Sequence, residues 1–156
     1  MQAMDIMTKK VFTVGPHMTL GEVAQLLIDQ QISGVPVVDA AGQLLGVISQ
    51  TDLVRRSREA GDAPGVPSFY RQEETWLEKS GYEIKEPDRT RVRDVMTPAV
   101  IQATDNTPIE ELAALMLAKH LHRVVITCGG RLSGIVTTTD MMRALLALGR
   151  PHRARV

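Results

Sequence analysis

The sequence predicts an α/β protein made of two pseudo-twofold related β-α-β-β-α repeats, each a small sheet with two helices. Three observations predict it. A seven-residue stretch occurs twice, as Gly46-Val47-Ile48-Ser49-Gln50-Thr51-Asp52 and as Gly134-Ile135-Val136-Thr137-Thr138-Thr139-Asp140. A shorter pattern, Asp5-Ile6-Met7-Thr8, returns as Asp94-Val95-Met96-Thr97. Between these markers, extended and helical signals follow one another in the same order in both halves, at offsets of 88 and 89 residues. A period of half the chain marks a duplicated unit rather than a solenoid. Sheets this small cannot hide both faces alone, so the halves are expected to pack on one another. The expected division is repeat one at 1–58, an aromatic-containing insertion at 59–93, repeat two at 94–148 and a basic tail at 149–156.

In the first repeat, Val11 to Val14 reads as a short extended run closed by Gly15-Pro16. Thr19-Leu20-Gly21-Glu22 has the order of a capping box, and Leu20, Val23, Leu26 and Leu27 follow at helical spacing, which predicts a helix ending near Gln31. Gly34 to Asp39 and Leu44 to Ile48 read as two strands around the turn Ala40-Ala41-Gly42. Pro36 cannot donate to a ladder and marks an edge or a bulge. A second helix starts around Thr51 and runs into Arg55, Arg56 and Arg58.

The second repeat follows the same plan. Val100-Ile101 is extended, and Thr107-Pro108-Ile109-Glu110 reads as another capping box with proline at the first helical position. Ile109, Leu112, Ala113 and Met116 make the inward stripe of its helix. Val124 to Thr127 and Leu132 to Val136 flank the turn Gly129-Gly130, and a last helix covers Met141 to Leu148. The insertion holds Phe69, Tyr70, Trp76 and Tyr82, most of the chain's aromatics. Ser68 can cap a helix with Phe69, Glu73, Trp76 and Leu77 on one side, stopped by Gly81. Such a segment either packs its aromatics on a neighbouring repeat, or covers a ligand or offers a partner surface.

Composition excludes several classes. Lys plus Arg and Asp plus Glu are each 18, so no overall field draws the chain to nucleic acid or to an anionic membrane. After Asp140 there is no acid, and Arg143, Arg150, Arg153 and Arg155 form a basic terminus that suits a solvated tail. The single cysteine, Cys128, rules out an intramolecular disulfide framework and fits a reducing compartment. The N-terminus lacks a charged-then-apolar signal pattern, and no apolar run nears the length of a membrane span. These features predict a soluble, cytoplasmic protein with no membrane contact.

Each doubled stretch reads as strand, turn and helix start. A glycine within a strand pattern signals the close approach of another backbone or of a ligand. The hydroxyls and the new helix N-terminus offer donors to an anion, and the aspartate can accept from two neighbouring hydroxyls, as on a ribose. A plainer reading stands beside this one: Ser, Thr and Asp at a helix start are ordinary capping groups, and the helix dipole favours an acid there with or without a ligand. The second copy, at the matching place in a larger repeat, favours the ligand reading.

The doubled Gly-x-x-[Ser/Thr]-x-x-Asp, the paired Asp-[Ile/Val]-Met-Thr and Val35-Pro36-Val37-Val38-Asp39 together resemble a tandem pair of cystathionine-β-synthase (CBS) domains, a Bateman module. The resemblance covers nearly everything except the middle insertion. It implies a regulatory module that binds adenosine-containing ligands, AMP, ADP or ATP, in clefts between the repeats. By position, Asp52 and Asp140 would hold ribose hydroxyls, and Ser49, Thr51, Thr137 and Thr139 would face phosphate. Val35, Pro36, Val124 and Val125 would wall the adenine. His122-Arg123 stands where the first repeat has Ser33-Gly34, and in similar kinase-regulating gamma subunits a His-Arg at that place contacts phosphate. An arginine fork suits that role. The asymmetry predicts firmer binding in the cleft of Asp140 and Arg123 than in that of Asp52.

No catalytic phosphate loop, HExxH or nucleophile elbow is found, and His120 with His122 lacks a third ligand for a metal. An enzyme is therefore not expected, and neither is a metal or a cofactor beyond the regulatory nucleotide. S-adenosylmethionine is the alternative ligand, and a structural dimerisation module with degenerate clefts is the alternative function. A homodimer is expected because Met141, Met142, Ala144, Leu145, Leu146, Ala147 and Leu148 leave the last helix almost no polar face. The effector that such a module controls would be a separate chain.

Overall fold

The computed structural model describes residues 1–58, 69 and 89–149. The expected helix from Ser68 to Gly81, apart from Phe69, and the basic tail from Arg150 onward lie outside those residues. The elements in chain order are α1 (Ala3–Ile6), α2 (Leu20–Asp29), β1 (Gly34–Val38), β2 (Leu44–Ser49), α3 (Gln50–Arg58), α4 (Val92–Val95), β3 (Gln102–Thr104), α5 (Ile109–Ala118), β4 (Arg123–Cys128), β5 (Arg131–Thr137) and α6 (Thr138–Leu148). None of the described helices is long and apolar enough to cross a membrane.

The α/β architecture is as expected, but the two sheets are unequal. The second is three-stranded in the order β3-β4-β5, with β3 parallel to β4. The first has only β1 and β2, and the expected strand at Val11–Val14 is reduced to one parallel bridge between Val14 and Val37. Proline explains the difference. In that bridge Val14 N–H donates to the Pro36 carbonyl and Val38 N–H to the Val14 carbonyl. Extending the parallel ladder backward needs an N–H from residue 36, which proline lacks. At the matching place β4 has Val125, and there the ladder runs through Gln102, Ala103 and Thr104. The extended segment of the second repeat thus forms slightly later than the expected Val100-Ile101.

The capping boxes also divide. Thr19 and Glu22 cap α2 reciprocally, Thr19 N–H donating to Glu22 at 2.9 Å and Glu22 N–H to Thr19 Oγ1 at 3.3 Å. The box expected at Thr107 does not form. The N-cap of α5 is Pro108, without a side-chain bond, and Thr107 Oγ1 accepts instead from Thr104 N–H at 3.1 Å. The Thr104–Thr107 turn at the end of β3 takes that hydroxyl before the helix can use it.

The repeats exchange their leading segments. Ala3 and Met4 N–H donate to the carbonyls of Thr107 and Asp105, while Val92 and Arg93 N–H donate to those of Met18 and Pro16. The Asp-x-Met-Thr patterns that open each repeat along the chain are therefore docked on the opposite half. Two cores result. Ala3 is buried with Leu112, Leu121, Val124 and Val136, and Val92 with Leu20, Leu27, Val35 and Leu53. The hairpin tips meet reciprocally as well: Leu44 N–H donates to the Gly130 carbonyl and Leu132 N–H to the Gly42 carbonyl, both at 3.1 Å. Such paired bonds have the pattern of a local twofold.

Candidate functional site: two strand-to-helix turns and the residues between them

The glycine that opens each doubled stretch meets backbone. A Cβ on Gly46 would lie 2.7 Å from the Thr97 carbonyl oxygen, and one on Gly134 would lie 2.8 Å from that of Thr8. The close approach foreseen at these glycines is thus the exchanged Met-Thr segment of the other repeat. This pairing sets the middle of β2 and of β5 against the other repeat's leading segment.

In each turn the aspartate accepts from the N-cap residue, and Asp140 N–H completes a capping box by donating to Thr137 Oγ1 at 3.3 Å. Asp52 Oδ2 accepts from Ser49 N–H at 2.8 Å and from Ser49 Oγ at 3.0 Å. Asp140 Oδ2 accepts from Thr137 N–H at 2.9 Å and from Thr137 Oγ1 at 2.8 Å. Both residues are buried. The other carboxylate oxygen faces an arginine one helical turn on, Arg55 Nη1 at 3.9 Å from Asp52 Oδ1 and Arg143 Nη1 at 3.3 Å from Asp140 Oδ1. The capping reading is therefore realised in both copies, with one oxygen of each carboxylate on the turn and the other on the side of a cation. These arginines were not among the expected site residues, although their i, i+3 spacing was visible.

The remaining expected residues separate into three places. Val35, Pro36, Val124 and Val125 are buried in the strands, the valines within the cores of their own repeats. Thr51 is half-buried and Thr139 exposed, both in the first turns of their helices. His122 and Arg123 part company. The His122 carbonyl accepts from Thr138 N–H at 3.0 Å, and its exposed ring, with Met116, Leu117, His120 and Met141, lines an apolar cavity of about 370 Å³ beside α5 and α6. Arg123 instead crosses to the first repeat. It is paired with Thr137 across the β4–β5 ladder, but its Nη2 donates to Ser33 Oγ at 3.1 Å. Its backbone thus lies beside the Asp140 turn while its guanidinium stands at the start of β1.

Phe69, from the insertion, completes this region. It is 1% exposed, and the Arg123 guanidinium lies 5.3 Å from its ring centre. A Cβ on Gly34 would come within 2.8 Å of its Cδ2. Packing of an insertion aromatic on the repeats is thus realised for Phe69. Away from the turns, the exposed Cys128 thiol is pushed up from its ordinary pKa, first by its hydrogen bond to the Asp105 carboxylate and then by that carboxylate's charge. No group of three or more potential metal ligands occurs among the described residues.

A family model, the CBS domain, matches residues 3–59 and 92–147. Among curated relatives, the chloroplastic CBS domain-containing protein CBSX1 of Arabidopsis thaliana is 30% identical over 152 residues, covering 94% of this chain and 64% of that protein. The chain thus spans less than two thirds of that relative's length. The uncharacterized protein MJ1426 of Methanocaldococcus jannaschii is 34% identical over 151 residues, covering 91% of this chain and 89% of that one. The crystal structure of CBSX2, an Arabidopsis thaliana protein, in complex with AMP superposes with a TM-score of 0.71 at 28% identity, covering 96% of this chain and 98% of that chain.

Proposed function

The chain belongs to the CBS domain family as a tandem pair, and from that premise we propose that it is a regulatory module binding an adenosine-containing ligand, an adenine nucleotide first, between its repeats. The observation that carries the reading is the pair of buried aspartates at the two strand-to-helix turns, each held by its own turn. A carboxylate fixed in this way needs no reordering to accept from a ribose, so little side-chain entropy is lost on binding. Arg123, bridging from β4 to Ser33, is the phosphate donor, because a guanidinium can give two parallel bonds to an anion. Asp140 is the stronger ribose site, since Arg123 enters from the strand paired with its turn. The likeness to CBSX2, whose crystal structure contains AMP, supports the same ligand class.

The module is read as a sensor and not as an enzyme, acting on a separate effector in the cytoplasm. It is also read as a homodimer. On α6, Met142, Leu145, Leu146 and Leu148 are between 60% and 70% exposed, and Leu117 on α5 is 77% exposed. A second copy presenting the same face is the simplest cover. The cap bonds, which satisfy one oxygen of each carboxylate within its own turn, favour a second reading in which the module only holds two chains together. A binding panel of AMP, ADP, ATP and S-adenosylmethionine on the purified protein decides between them. Saturable binding of an adenine nucleotide is expected, and a dimer that binds none of the four would leave the scaffold reading. S-adenosylmethionine has no phosphate, so preference for it would be recognised by indifference to Arg123→Ala.

A further inference from the structure

Gly34 and Arg123 occupy equivalent places at the starts of β1 and β4, opposite Ser49 and Thr137. One repeat therefore supplies a hole where the other supplies a long cation, and the ring of Phe69 fills the hole beneath the cation. Among the described residues, its seat includes the Gly34 backbone at one edge, Arg123 over one face, and the core that holds Ala3, Val47 and Val124. At 1% exposure the ring has no free face on which a base can stack. It is flat, apolar and covered by a guanidinium, the properties of a base lying under a phosphate-binding arginine.

We infer that Phe69 is a built-in competitor for the ligand: its ring packs against Gly34, paired with Ser49, and engages Arg123, paired with Thr137, and an adenosine ligand must displace it to bind. The inference rests on the proposed ligand class and adds a regulation to it. The apparent affinity of a site open only part of the time falls by the open fraction. If the ring is seated about nine-tenths of the time, removing it raises affinity about tenfold.

Calorimetric titration of AMP into the wild-type protein, Phe69→Ala and Phe69→Leu tests this, with thermal unfolding run beside it. Both variants are expected to bind more tightly, Phe69→Ala by about tenfold and Phe69→Leu by less, because leucine fills the hole without offering Arg123 a ring face. Binding by the variants alone supports the competitor equally. Unchanged affinity overturns it, and weakened affinity overturns it by making the ring a wall of the site; in either case the wild type still binds, so the ligand class stands. Failure of all three folded proteins to bind AMP removes the ligand class itself and the competitor with it. Should Phe69→Ala not fold, the comparison of Phe69→Leu with wild type decides alone.

Discussion

Val47 and Thr97 exchange both of their backbone hydrogen bonds, Val47 N–H to the Thr97 carbonyl at 3.0 Å and Thr97 N–H to the Val47 carbonyl at 2.9 Å. Ile135 and Thr8 do the same at 3.0 and 2.9 Å. Each repeat's functional strand is thereby edged by the other repeat's leading segment. The glycine before Val47 or Ile135 is what allows the approach, since any Cβ there would overlap the partner carbonyl.

Gly46→Ala and Gly134→Ala are accordingly expected to destabilise the protein by about 1–3 kcal/mol each, the usual cost of forcing atoms into a packed contact. Gly15→Ala is the control. It has open space around it and is expected to change stability by less than about 0.5 kcal/mol. Urea unfolding of the three variants checks this, and equal midpoints for Gly46→Ala and wild type would show that the segment exchange is not a tight contact.

The fold was legible because its markers come in pairs. Two glycines, two aspartates and two Asp-x-Met-Thr patterns located the repeats, and α2 and α5 followed from their apolar stripes, whereas the single-turn helices α1 and α4 were not foreseen. Three further things were not legible, for different physical reasons. That each leading segment docks on the opposite half depends on backbone bonds far apart in sequence, to which no local propensity points. The missing strand at Val11–Val14 follows from the N–H that Pro36 lacks, a consequence visible only once β1 is known to have a parallel neighbour. The direction of Arg123, towards Ser33 and Phe69, depends on an insertion with no counterpart in the repeat. For the site, the turns were read as strand, turn and helix start, and the capping role, weighed as the plainer reading, is realised beneath the proposed binding role.

The thiol of Cys128 offers a check on local electrostatics. The Asp105 carboxylate accepts its S–H and repels the thiolate, so deprotonation is deferred to higher pH than for an ordinary thiol. Since the thiolate is the nucleophile, iodoacetamide should alkylate Cys128 more slowly near pH 8.5 than it does a free thiol. Asp105→Asn should move the midpoint of the rate profile down and speed the reaction. A profile unchanged by that substitution would mean that the carboxylate does not govern the thiol.

The apolar face of α6 predicts assembly. Light scattering of the purified protein at micromolar concentration should return the mass of two chains, and Leu145→Glu with Leu146→Glu should return one, because a charge in each apolar contact is costly to bury. A single-chain mass for the wild type would remove the homodimer. A dimer that survives both substitutions would place the interface elsewhere.

Adenosine-ligand binding through the held aspartates is the claim on which the rest depends, and calorimetric titration of AMP into wild type, Asp140→Ala and Asp52→Ala tests it most directly. Loss of a charge-assisted hydrogen bond costs about 1.5–3 kcal/mol, roughly a ten- to hundredfold weakening. The wild type is expected to show saturable binding, weakened by that factor in Asp140→Ala and less in Asp52→Ala, with thermal unfolding confirming that both variants are folded. No binding by the wild type and Phe69→Ala alike, or binding that Asp52→Ala removes while Asp140→Ala leaves it intact, would contradict the account.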